Sequence, residues 1–118
     1  MRGVVLLVNP DRTVDSERLR EAGLMVYEVA DERTALERLS DLAPDAVVVA
    51  GGEVALTELR RHVDHATSII VVGGNENPPE TRRRAGADLT RPLEGDLLYE
   101  IHRALILRRS GRRLPWND

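Results

Sequence analysis

Three short apolar runs end where a pocket should open, and none ends on a residue that can itself do chemistry. Val4–Val8 leads into Asn9, Pro10 and Asp11, Ala46–Val49 into Ala50, Gly51 and Gly52, and Ile69–Val72 into Gly73 and Gly74. A fourth, shorter segment at Leu89–Thr90 leads into Arg91 and Pro92. In an open parallel α/β sheet, ligands and catalytic groups sit just beyond the carboxyl ends of the strands. Here those ends offer one carboxylate, one neutral amide, one guanidinium and several glycines. The chemistry open to such a set is the cradling of an anion. Gly51, Gly52 and Gly74 would supply backbone N–H groups to a phosphate or nucleotide, and Arg91 a positive charge. The competing reading is tight turns after shortened loops, because neither glycine pair belongs to a GxGxxG or Walker pattern. No nucleophile–base pair or carboxylate pair occupies these ends, so an enzyme is not expected.

His62 and His65 are spaced for one side of a helix, as metal ligands can be. Asp64 between them faces elsewhere, and they read as surface histidines. No metal site and no cofactor are expected.

The elements that must hold these ends follow from the pattern. Apolar runs of four to five residues alternate with helical patterns, the signature of βαβ units and a parallel sheet. The runs are continuous, not alternating, as strands covered on both faces should be. Strands are expected at Gly3–Val8, Leu24–Val29, Ala46–Val49, Ile69–Val72 and, very short, Leu89–Thr90. A first helix is expected from about Val14 to Ala22, stopped by Gly23. A second follows the N-cap Asp31, with Leu36, Leu39 and Ala43 on one face, and breaks before Pro44. A third presents Leu56, Leu59 and Val63, and a short fourth spans Glu80–Ala85. The last runs from about Glu94 to Arg109 with Leu97, Ile101, Ala104 and Leu105 inward. Leu98, Ile106 and Leu107 widen its apolar surface, and with Tyr99 nearby they read either as a dimer or interdomain surface or as ordinary exposed apolar positions.

Composition sets the bounds. The chain has 118 residues, enough for one domain, and no cysteine, hence no disulfide or thiolate site. All 17 basic residues are Arg, so no lysine can serve as base or phosphate contact. The net charge of −3 and the paucity of aromatic residues argue against nucleic-acid binding by this domain. Arg82–Arg84 and the arginines after residue 107 read as solvated surface. No run reaches membrane-helix length, and the chain opens directly on a strand without a targeting segment, so a cytoplasmic location is expected. Residues 1–109 form the domain, and 110–118 a polar, Arg-rich tail or linker.

This arrangement resembles the receiver domain of bacterial response regulators. The resemblance rests on Val5-Leu6-Leu7-Val8-Asn9-Pro10-Asp11, on Pro44-Asp45-Ala46-Val47-Val48-Val49-Ala50, and most specifically on Gly86-Ala87-Asp88-Leu89-Thr90-Arg91-Pro92-Leu93. It covers roughly residues 3–108. It implies a flavodoxin-like, doubly wound, five-stranded parallel sheet of order 2-1-3-4-5 in a three-layer α/β/α sandwich.

The resemblance also assigns the strand ends. Receiver chemistry uses an aspartate nucleophile after strand 3, an acidic pair for Mg²⁺ after strand 1, a hydroxyl residue after strand 4 and a lysine after strand 5. Ala50 stands at the acceptor position, Asn9 and Pro10 at the acidic pair, Gly73 at the hydroxyl and Arg91 at the lysine. Asp11 supplies a ligand only through a shift in register. The connection after Ala50, the first helix and the segment before strand 5 are all shorter than the family's. The resemblance thus implies a degenerate pseudo-receiver from two-component, phosphorelay-type signalling that works by protein–protein interaction. Its partner would be a protein, a fused output domain or a second copy. The alternative is a small-molecule module of the same fold, binding a nucleotide or anion.

Overall fold

The structure, a computed structural model, describes residues 3–10, 12, 14–50, 56–63, 67–72, 89–91 and 97–109. Its elements in chain order are β1 (Gly3–Val8), α1 (Ser16–Glu21), β2 (Leu24–Val29), α2 (Glu32–Leu42), β3 (Ala46–Ala50), α3 (Leu56–His62), β4 (Ser68–Val72), β5 (Leu89–Arg91) and α4 (Leu97–Arg109). The expected helix over Glu80–Ala85 lies outside the described residues.

Four parallel strands in the order β2-β1-β3-β4 form the body of the sheet, and the three-residue β5 pairs with β4. The continuous apolar runs form these strands because both faces are covered. Val5, Leu7, Val48, Ile70 and Val72 pack on one face with Leu19 of α1 and with Ile101, Ala104 and Leu105 of α4. Leu6, Val8, Val47, Val49, Ile69 and Val71 pack on the other with Ala35 and Leu39 of α2 and Leu59 of α3. Helices therefore lie on both sides of the sheet. Each fully buried Val, Leu or Ile contributes about 1.5–3 kcal/mol, so two-sided burial of the strands dominates over any single polar contact. The approach of α4 to β1 is close: a Cβ on Gly3 would lie 2.8 Å from a Leu105 methyl.

The amino ends of the strands are tied by polar groups. The Val4 backbone N–H donates to the Asp45 carboxylate at 2.8 Å, and the Asp45 N–H to the Val4 carbonyl at 2.8 Å. Buried Thr67 donates its hydroxyl to the Pro44 carbonyl at 3.2 Å, and Arg60 donates to the Thr67 carbonyl.

Two helix boundaries differ from expectation, each for a local reason. The first helix starts at Ser16, not near Val14, with Asp15 as N-cap accepting from the Glu17 N–H. Val14 is kept out of the helix because the Asn9 side chain bonds both its N–H and its carbonyl. Ala43 does not extend the apolar face of α2. It is the exposed C-cap, held in the left-handed region at φ 43°. The Asp31 N-cap stands as expected, accepting from the Thr34 N–H at 2.7 Å. Gly23 follows α1 at φ 97°, a conformation that glycine adopts without strain.

Candidate functional site

Strand register decides which residues meet at the carboxyl end of the sheet. Ala50 lies level with Val72, and Val72 with Arg91. Val8 lies level with Val49, which sets Asn9 beside Ala50 one step further on. Asn9, Ala50, Val72 and Arg91 thus form one row across the end of the sheet. The residue opposite Ala50 is Val72, and Gly73 comes one position later. Asp11, Gly51, Gly52, Gly73 and Gly74 lie outside the described residues, as does His65. Arg91 is described as a strand position only.

Ala50 is fully buried and shares its apolar cluster with Val14, Val48 and Val72. A methyl group here completes the packing of the sheet end and offers no polar atom. Pro10 is exposed.

Asn9 is the polar centre of this end and is only 3% exposed. Its Nδ2 donates to the Val14 carbonyl at 2.9 Å and to Glu28 Oε2 at 2.6 Å. Its Oδ1 accepts from the Val14 N–H at 3.3 Å. Only one orientation of the amide satisfies these partners, because an N–H must donate and a carboxylate must accept. The backbone joins in: Asn9 N–H donates to the Val29 carbonyl at 2.9 Å, and Arg12 N–H to the Asn9 carbonyl at 3.3 Å. Leaving such a buried amide unpaired would cost about 1–3 kcal/mol, so this set of bonds fixes the loop after β1. The oxygen that a cation would need is turned to Val14.

Glu28 was not legible as a site residue. It sits on β2, level with Leu7, and in the sequence it reads as an ordinary exposed strand position. Its carboxylate reaches Asn9 across 19 residues of sequence and also accepts from the Ser16 hydroxyl at 3.4 Å. From Ser16 the polar contacts continue to Arg20, whose Nη1 donates to Ser16 Oγ at 3.2 Å and to Glu17 at 2.7 Å. The described side chains at this end can therefore brace a loop, and the Ser16 hydroxyl among them is engaged by Glu28 and Arg20. No group of three or more His, Cys, Asp or Glu residues among the described residues is arranged to hold a metal ion. His62 is exposed, with Nδ1 2.8 Å from the Glu58 carbonyl of its own helix.

The candidate interface on α4 divides. Tyr99 and Ile106 are 57% and 48% exposed, two turns apart on one side of the helix. Leu98 instead packs in part against the core cluster. No helix among the described residues is long and apolar enough to cross a membrane.

No family model and no curated protein sequence matches this chain. Solved structures do. NtrX from Brucella abortus superposes with a TM-score of 0.77 at 20% identity, covering 94% of this chain and 28% of that one. This chain therefore spans little more than a quarter of the NtrX chain. The receiver domain of Francisella response regulator 1452 gives 0.73 at 17% identity, covering 93% of this chain and 99% of that one. The pseudo-receiver domain of the CikA protein gives 0.65 at 27% identity, covering 88% and 94%. The fold of this chain is that of response regulator receiver domains.

Proposed function

We propose that this chain is a receiver-like regulatory domain of two-component, phosphorelay-type signalling that has lost phosphorylation and acts by binding protein partners. The observation that carries the reading is the Asn9–Ala50 pair at the carboxyl end of the sheet. The acceptor position is a methyl group buried in an apolar cluster. The metal position is an amide committed to Val14 and Glu28. Receiver domains among the similar structures support the signalling context, and the similarity to a domain described as the pseudo-receiver of CikA supports the pseudo-receiver reading. The proposal includes the full doubly wound arrangement, with β5 completing a five-stranded sheet.

The partner is a fused output domain, a separate protein or a second copy, docking on the α4 face that carries Tyr99 and Ile106. The domain is not an enzyme, takes no cofactor and makes no direct nucleic-acid contact. Incubation with a small phosphodonor and Mg²⁺, followed by intact-mass measurement, tests the central point. The expected result is an unchanged mass. A stoichiometric phosphoryl adduct cleaved by hydroxylamine would overturn the proposal.

A further inference from the structure

We propose that the outer edge of β2 is a latent self-association surface and that Arg20 holds it shut. Among the described residues, β2 ends the sheet on the side away from β5 and pairs only with β1. The Val29 carbonyl accepts from Asn9 at the end of β1 and so points inward. Backbone polar groups alternate along a strand, which leaves those of Leu24, Val26 and Glu28 pointing outward. An open row of this kind is a template for another strand. Beside it stand Met25 and Tyr27, 58% and 40% exposed.

The outward carbonyl at the middle of the strand is occupied. Arg20 Nη2 donates to the Val26 carbonyl at 3.1 Å. The guanidinium is itself anchored on α1, by Glu17 at 2.7 Å and Ser16 at 3.2 Å. It therefore lies across the edge at the point where a pairing strand would have to bond.

The occupant that fits the open edge is a second copy of β2, antiparallel about a two-fold axis. With the axis at Val26, the outward groups meet correctly. Val26 faces Val26 of the second copy and exchanges both bonds, and Leu24 faces Glu28. In that register Met25 lies opposite Tyr27 on both sides of the axis, a favourable sulfur–aromatic pair. The carbonyl needed at the axis is the one that Arg20 covers.

Sedimentation velocity over a range of concentrations tests this with the wild-type chain, Arg20→Ala and Arg20→Gln. Two variants are used so that the result does not rest on one substitution and its effect on α1. Removing the guard should tighten self-association about tenfold per edge, hence about a hundredfold in the dimer dissociation constant. Adding Met25→Lys, which sets charges on the edge, should return Arg20→Ala to wild-type behaviour, whereas adding Tyr99→Glu should not. Amide exchange at Val26 and Glu28 should slow with concentration in Arg20→Ala. Variants that sediment like wild type at every concentration would overturn the inference, and would leave any α4 interface untouched. So would association abolished by Tyr99→Glu but not by Met25→Lys.

Discussion

Asn9 shows how one side-chain amide organises a sheet end. Its Nδ2 donates to the Val14 carbonyl and to Glu28, and its oxygen accepts from the Val14 N–H. A carboxylate of the same shape would keep the acceptor and lose both donors. Asn9→Asp would also bring a second negative charge to within about 2.6 Å of Glu28. We expect Asn9→Asp to destabilise the fold at neutral pH by about 3 kcal/mol, from the unpaired Val14 carbonyl and the like-charge contact. The sign with pH follows from proton linkage. Repulsion raises the folded pKa of one carboxyl above its unfolded value, so the folded state binds more protons. The penalty is then greatest at neutral pH and shrinks as pH falls through that raised pKa. Urea unfolding at neutral pH and near pH 5 measures it, and adding Glu28→Gln should recover part of the loss. A variant as stable as wild type at neutral pH would mean that the amide is not what fixes this loop. Ala50→Asp meets a harsher site. Its carboxylate would enter a fully buried position among Val14, Val48 and Val72, at a cost of several kcal/mol, so the single change should unfold much of the protein before it accepts a phosphoryl group.

At the scale of elements, α2 offers two checks because both of its caps are explicit. Asp31 has its pKa lowered from 3.8, first by the Thr34 backbone N–H, then by the Thr34 side chain, against an opposing effect of desolvation, with the charge of Arg33 adding least. A folded pKa below the unfolded one contributes stability above the unfolded value, and that contribution is lost as pH falls through the folded value. The stability gap between wild type and Asp31→Ala should therefore be full at neutral pH and close on acidification below about pH 3.8; a gap independent of pH would contradict the charged cap. At the other end Ala43 occupies the left-handed region at φ 43°. Ala43→Gly should stabilise by about 0.5–1 kcal/mol, because glycine adopts that conformation without steric cost. Thermal unfolding reads this directly, and a lower melting temperature would argue against a strained cap. These two caps also mark what a sequence can disclose. Asp31 was legible because an Asx residue before an apolar-periodic segment is a local signal. Ala43 was not, since nothing about an alanine announces a positive φ. The start of α1 was misplaced because Val14 is withheld by Asn9, a contact set by the folded loop and invisible to periodicity.

The molecule as a whole was legible to the extent that its signals are local. Continuous runs such as Val4–Val8 and Ile69–Val72 declared strands buried on both faces, and the two apolar clusters on opposite sides of the sheet are the physical cause of that pattern. The row joining Asn9, Ala50, Val72 and Arg91 depends on register between strands far apart in the chain, which single-strand patterns do not encode. Glu28 was missed for the same reason. The way Asn9 and Ala50 are committed at this end has a consequence for the whole fold. A ligand that binds only the folded state at a hundred times its dissociation constant stabilises by about 2.7 kcal/mol. In a domain of this size that would raise the melting temperature by roughly 10 °C. With Asn9 Oδ1 turned to Val14 and a methyl group at position 50, Mg²⁺ should produce no saturable rise beyond that of a sodium salt at equal ionic strength. The sodium control matters because Glu28 and its neighbours carry charges that respond to screening alone. A saturable rise of several degrees would mean that a cation site forms at this end of the sheet with the Glu28 carboxylate as a ligand. Loss of that rise in Glu28→Gln would then locate the site.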